Sequence, residues 1–377
     1  MSVASCPHRP PCPGCPRYGA PGIVPAALAR LERLAALHGI APPEVALGAR
    51  FGHRVRARLM VRGRAASPKL GIFQEGTHRI VDIPRCAVHH PLVNEVAAAA
   101  RDAVRATGTR PYAERPHAGE LRALQVVVER PSRTAQVVLV GNAREPGPLA
   151  PLADALAARL GPALHSLWWN GNPERTNTIL GPHWQRWRGP EAVRERIGGA
   201  DVFFPPGAFG QSHLDLADRL VERVQAQVPD GARVLELYAG CGPIGLGLLA
   251  RSRSVAFVES APDALRGLAL GLAARPEPER DRGSVVAGAA GAAAGLVAEA
   301  DVVVADPPRR GLDEPLLAAL AAAPPALFLY VSCDLDSFEA QAARLVAEGR
   351  LRLATLAAYD LFPNTEHVET LARFEAR

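Results

Sequence analysis

The chain has 377 residues, 48% of them hydrophobic, and a formal net charge of +5. That length allows two domains with their own cores; no apolar run is long enough to span a bilayer, so the chain reads as soluble with no membrane partner. The charge is uneven: residues 1–120 hold 17 Lys+Arg against 8 Asp+Glu, while the remainder is net acidic, so the front half is expected to meet a polyanion.

The amino terminus, MSVASCPHRPPCPGC, lacks the apolar stretch of a secretory signal, and a cytoplasmic protein is expected. Six cysteines then point to metal binding or catalysis rather than disulfides. Cys6, Cys12 and Cys15 lie in CPHRPPCPGC, where proline and glycine forbid a long helix and favour a loop that wraps something. Cys86, in DIPRCAVHHP, is the candidate fourth ligand. Four thiolates suit zinc or a [4Fe–4S] cluster, and spacing alone does not choose.

Residues 24–39 read as a short amphipathic helix closed by Gly39. In RVRARLMVRGR, Val55, Ala57, Leu59 and Val61 alternate with Arg54, Arg56, Arg58 and Arg62, a half-buried strand whose arginine face could contact phosphate. LGIFQEG, HRIVDI, LQVVVER and AQVVLVG continue the strand pattern, with a helix at LVNEVAAAARDAVRAT. The front half, 1–200, is therefore expected to be a smaller α+β domain.

From 201 to 377 the pattern becomes α/β. LDLADRLVERVQAQV carries a helical stripe, RVLEL is a buried strand, and AGCGPIGLG is a glycine turn entering a helix. SVAFVES ends a second strand at Glu259, placed to hold two ribose hydroxyls. DVVVADPPRRG and LFLYVSCD supply further strands, and LRLATLAAYDLF with HVETLARF an antiparallel hairpin. A turn with Gly240, Gly242 and Gly245 binds NAD or S-adenosylmethionine; Asp306-Pro307-Pro308 and the lack of any hydride-transfer site favour the latter. Cys333 ends a buried strand where open α/β sheets place ligands; alone it reads first as a small core residue, in context as a nucleophile.

In the order and spacing of FGQSH, LELYAGCGPIG, VES, DPPRRG, YVSCD and DLFPNTEHVE, the whole chain resembles the RNA uracil-C5-methyltransferase family, nearest to its short RlmC-type 23S rRNA branch. The resemblance implies a Rossmann-like class I methyltransferase domain behind an RNA-binding domain, S-adenosylmethionine as cofactor, and a [4Fe–4S] cluster on Cys6, Cys12, Cys15 and Cys86. It implies Cys333 as the nucleophile that adds to uracil C6 and Glu369 as the base that removes the C5 proton. It also implies cofactor contacts from Gln211, Tyr238, Glu259 and Asp306 beside the glycines. The expected partner is RNA, 23S rRNA or the tRNA T-loop, with no DNA, and the protein is expected to be a monomer. A non-catalytic RNA-binding protein that kept the fold is the reading from another class.

Four departures from the family pattern stand out. Asp334 follows the cysteine in place of Asn, and the Gln-x-Asn motif ends in His213. Glu236 replaces Asp, and SVVAGAAGAAAG lacks an acid near the adenine. A carboxylate at Asp334 is expected to raise the pKa of Cys333.

Overall fold

The computed structural model describes residues 5–348 and 350–377, in two compact units. Among the described residues, the first comprises 5–19, Ala49–Glu195 and Pro205–Gly207, the second Ala20–Gly48, Arg196–Phe204 and those from Ala208 to Arg377. This differs from the single expected boundary near residue 200, because the amino-terminal helix and the strand after it pack with the carboxyl-terminal sheet.

The first unit is built on a seven-stranded sheet, in the order Ile80–Asp82, Ser67–Phe73, Arg56–Arg64, Leu121–Glu129, Thr134–Gly141, Leu164–Gly171, His183–Arg188. Within this sheet only Thr134–Gly141 and Leu164–Gly171 pair in parallel, and they are joined through the helix Ala150–Leu160, as a parallel connection requires. Leu121–Glu129 is buried at every position, so both its faces are covered. Val55, Ala57, Leu59 and Val61 are buried as their alternation predicts, but Met60 is buried too. The arginine face is not uniformly solvated. Arg58 Nε donates to Gln125 Oε1 at 2.7 Å, and the Arg62 guanidinium donates to Glu114 and to the Arg122 carbonyl, both at 3.1 Å.

The second unit holds an eight-stranded sheet. Its strands are β1 (Glu44–Ala46), β2 (Arg233–Leu237), β3 (Ser254–Glu259), β4 (Gly283–Ala287), β5 (Val302–Ala305), β6 (Leu327–Ser332), β7 (Leu351–Tyr359) and β8 (Glu369–Ala376). They run in the order β1-β7-β8-β6-β5-β2-β3-β4, and β8 alone is antiparallel to its neighbours. β5 and β6 are buried throughout, as continuous apolar runs in a sheet covered on both faces should be. The early helix Pro25–Leu37 places Leu31, Leu34 and Ala35 in the core that contains Phe328, Tyr330 and Phe374. β1 pairs with β7 through Val45 and Ala358, which fixes residues 20–48 in this unit. The sheet grows one way from β2 through β3 and the other through β5 and β6, so a switch point opens at the carboxyl ends of these strands. Among the described residues, no helix is long and apolar enough to cross a membrane.

Candidate active site

Four strands deliver their last residues to this switch point: Tyr238 after β2, Glu259 at the end of β3, Asp306 after β5 and Cys333 after β6. The antiparallel β8 contributes its first residue, Glu369. Ser332 registers with Thr370, so the next step along the pair sets Cys333 beside Glu369. The loop after β5 is fastened in place. Gln341 Oε1 accepts from Leu312 N (2.9 Å) and from the Tyr330 hydroxyl (2.6 Å), and Gln341 Nε2 donates back to Leu312 O. Asp313 N donates to the Tyr238 hydroxyl at 3.1 Å.

The electrostatics of this corner are set by buried acid. Glu369 is 1% exposed, and among the described residues neither of its carboxylate oxygens has a hydrogen-bond partner. Burial, then the nearby Asp306, push its pKa well above the ordinary carboxylate range. Asp306 is exposed after β5, and the protein around its carboxyl raises its pKa as well. Cys333 is half-buried, and its thiol is pushed up to about 11 by burial first, then by Glu369 and Asp306. Arg309 opposes this by favouring the thiolate, and its guanidinium lies 3.2 Å from His367 Nε2. A carboxyl group with no partner and a raised pKa, next to a cysteine, suits proton transfer.

The glycine turn has the shape a nucleoside cofactor needs. Tyr238, Gly240 and Gly242 all adopt positive φ, at 56°, 57° and 78°, which folds the backbone back on itself at the end of β2. Glu259 is locked beside it: Oε1 accepts from Ser260 N and Ala261 N, and Oε2 from Gly240 N, all at 2.7 Å. A fixed carboxylate against a glycine turn fits the ribose of S-adenosylmethionine. Gln211 is partly buried in the loop ahead of the helix Leu214–Gln225. Glu236, whose role the sequence did not reveal, is buried beneath the turn and accepts from Gly245 N at 2.9 Å. Burial pushes it up to about 8, with Asp306 and Glu259 adding to the rise. Cys241 is buried in the same turn.

Two of the departures have structural explanations. His213 is buried and caps the helix Leu214–Gln225, its Nδ1 accepting from Leu216 N, which is a task an Asn side chain also performs. Asp334 Oδ1 accepts from Ser337 N at 2.9 Å at the start of the helix Leu335–Glu348, and this bond is the largest cause of its lowered pKa. The acids that chiefly raise the Cys333 thiol are Glu369 and Asp306, while the carboxylate of Asp334 is engaged by the helix end.

In the first unit, Cys6, Cys12, Cys15 and Cys86 are all free and partly buried. The loop that carries three of them meets the loop of Cys86: Arg85 N donates to His8 Nε2 at 3.3 Å, and Asn94 holds Cys86 through its backbone N–H and carbonyl. Burial pushes Cys15 up to about 11, and Cys86, Cys12 and Cys6 add to the rise, so the four thiols share one neighbourhood. Among the described residues, no group of three or more His, Cys, Asp or Glu side chains stands at metal-holding geometry. His89 is buried and held neutral, pushed down to about 4 by desolvation.

The doubly wound sheet, the glycine turn with its acid and the cysteine at the switch point define an S-adenosylmethionine-dependent methyltransferase. Residues 297–376 match the family model described as tRNA (Uracil-5-)-methyltransferase. The chain is 32% identical over 379 residues to an uncharacterized RNA methyltransferase of Protochlamydia amoebophila, covering 98% of this chain and 97% of that one. It is 31% identical over 354 residues to another from Gloeobacter violaceus, covering 91% and 76%. The solved structure of Pyrococcus abyssi tRNA (uracil-54, C5)-methyltransferase with S-adenosyl-L-homocysteine shares the fold, with a TM-score of 0.79 over 99% of this chain and 87% of that one at 24% identity. The chain belongs to the RNA uracil-C5-methyltransferase family, whose substrate is RNA.

Proposed function

We propose that the protein methylates C5 of one uridine in 23S rRNA, in the cytoplasm, giving 5-methyluridine. The observation that carries this reading is the placement of Cys333 beside the unpartnered, buried carboxyl of Glu369. Uracil C5 is a poor nucleophile until a thiolate adds to C6. The Cys333 sulfur forms that bond, and the ring electrons move onto the C4 oxygen as an enolate, making C5 nucleophilic. Gln211, Tyr238, Glu259 and the glycine turn would hold S-adenosylmethionine, which supplies the methyl group to C5 and leaves as S-adenosylhomocysteine. Glu369 then takes the proton left on C5, the C5–C6 double bond re-forms, and the C6–S bond breaks to return the thiolate. Burial makes Glu369 a stronger base than an exposed carboxylate, as removal of a proton from carbon demands. Arg309 favours the thiolate form of Cys333. The target base must leave its stack to reach the sulfur.

A second reading keeps the chemistry and changes the RNA to the tRNA T-loop. It is favoured by the family description and by the tRNA substrate of the similar Pyrococcus abyssi enzyme. Incubating the protein with S-adenosylmethionine and, separately, unmodified 23S rRNA and tRNA, followed by nucleoside mass spectrometry, separates the two. 5-Methyluridine in 23S rRNA alone is the expected result, in tRNA alone the result that selects the second reading, and in neither the result that overturns both.

The reading includes a [4Fe–4S] cluster on Cys6, Cys12, Cys15 and Cys86, with zinc as the alternative occupant. It rests on the resemblance and is supported by the four cysteines being free and by the hydrogen bond that joins their two loops. A cluster there would pin the amino-terminal segment to the first unit. Anaerobically purified protein with visible absorbance and about four irons per chain supports it; a colourless protein with one zinc selects the alternative.

A further inference from the structure

The first unit contains a cavity of about 690 Å³, a volume typical of small-ligand sites, which run to roughly 300–1,000 Å³. None of its lining residues is a cysteine. Its floor is Phe73 and Ile179, which pack on a small apolar cluster of Met60, Ala123 and Trp168. Its inner wall joins cations to a ring: the guanidiniums of Arg62 and Arg122 lie 5.0 Å and 4.5 Å from the centre of the Tyr112 ring. Glu114 accepts from Arg62 at 3.1 Å and pairs with His78 at 2.8 Å. The outer wall is held by Asn172 Nδ2 donating to Thr178 O (2.7 Å) and by Arg122 donating to Glu174 O (2.7 Å). His117 bridges the walls, within 2.7 Å of the Tyr112 hydroxyl and 2.9 Å of Pro173 O. At the mouth stand the exposed guanidiniums of Arg115 and Arg175.

An apolar floor, the Glu114 carboxylate with its Arg62 and His78 partners and two exposed cations match a nucleotide: base inward, phosphate outward. Residues 1–120, which supply most of the lining of this cavity, are also the basic part of the chain. We propose that this cavity takes a second, unpaired nucleotide of the RNA substrate, one that is bound and not methylated, with Arg115 and Arg175 on its phosphate. This rests on RNA being the substrate. Seating an extra unpaired nucleotide selects a folded loop over a duplex, which is how sequence-selective RNA recognition commonly works.

The test uses the full chain with 23S rRNA and tRNA transcripts. Ultraviolet cross-linking is expected to yield nucleotide-bearing peptides spanning residues 73–78 and 175–179. Arg115→Ala with Arg175→Ala is expected to weaken RNA binding about tenfold or more and to flatten the salt dependence by about two phosphates. KM should rise by the same factor with kcat unchanged at saturating RNA, and Arg115→Lys with Arg175→Lys should recover most of the affinity. Wild-type affinity in the alanine variant, or no cross-links in either segment, would overturn the proposal. A lower kcat at constant KM would overturn it too, as would tight calorimetric binding of AMP lost in the alanine variant while RNA binding is unchanged, since that describes a free-nucleotide site. Binding and cross-linking need no methyl transfer, so a wild-type protein that cross-links as expected but makes no 5-methyluridine fails the proposed function alone.

Discussion

Cys333 and Glu369 stand side by side at the end of the antiparallel pair β6–β8, one step past the registered residues Ser332 and Thr370. They are 36 positions apart in the sequence, and only the return of the chain through β7 and back along β8 joins them. That geometry gives one corner of the cleft both a group that can bond to carbon and a group that can accept a proton.

Substituting the two should split the reaction. Cys333→Ala is expected to abolish 5-methyluridine formation while RNA affinity stays within about twofold, because a methyl-sized side chain leaves the surface charge unchanged. Glu369→Gln is expected to methylate and then stall, leaving a protein–RNA adduct visible on a denaturing gel. Normal turnover by Cys333→Ala would remove the covalent step, and a Glu369→Gln variant with neither adduct nor defect would remove Glu369 from its role.

The high pKa of Cys333 sets a pH dependence. Its thiol is pushed up to about 11, so at neutral pH the thiolate fraction should grow about tenfold per pH unit. The single-turnover rate of adduct formation by Glu369→Gln is therefore expected to climb between pH 6 and pH 8. Arg309→Gln removes the cation that favours the thiolate and should slow this step at pH 7, because the thiol then holds its proton more tightly. A rate independent of pH, or indifferent to Arg309, would mean the thiol is activated in some other way.

Asp334 is a helix cap, and this predicts a mild phenotype. Asp334→Asn keeps an acceptor for Ser337 N and should retain activity within a few-fold. Asp334→Ala should cost about 1 kcal/mol of stability, measured by denaturant melting. Because the pKa of Asp334 is lowered, its contribution is present above its unfolded value and lost as pH falls through the folded one. A large fall in kcat for Asp334→Asn would show that the carboxylate acts on the chemistry.

Glu236 has the opposite sign. The folded protein holds its proton up to about 8, whereas the unfolded chain releases it near 4.5, so stability falls as pH rises between those values. Glu236→Gln keeps an oxygen for Gly245 N without the buried charge. Its melting temperature relative to wild type is expected to be higher at pH 8 than at pH 5. An equal difference at both pH values would place the proton elsewhere.

Much of the second unit could be read directly from the chain. Runs such as VVVA and LFLYVS are buried strands because no charged residue interrupts them, and they are buried at every position. The glycine turn is equally local, since positive φ at Gly240 and Gly242 favours residues without a Cβ. The sequence alone thus determined the α/β class, the ends of the strands and the chemical types gathered there.

Tertiary structure decided what those residues meet. Nothing local places residues 20–48 with the second unit, because the pairing of Val45 with Ala358 spans the chain. Nothing local distinguishes Arg62, folded against Tyr112 and Glu114, from the exposed Arg115 at the cavity mouth. The raised carboxyls of Glu236, Asp306 and Glu369 depend on how deeply each is enclosed and on one another, and burial arises only when distant strands close around a side chain. Sequence patterns report the backbone's local period and the chemistry of each side chain; distance and desolvation, which set reactivity, come from long-range pairing.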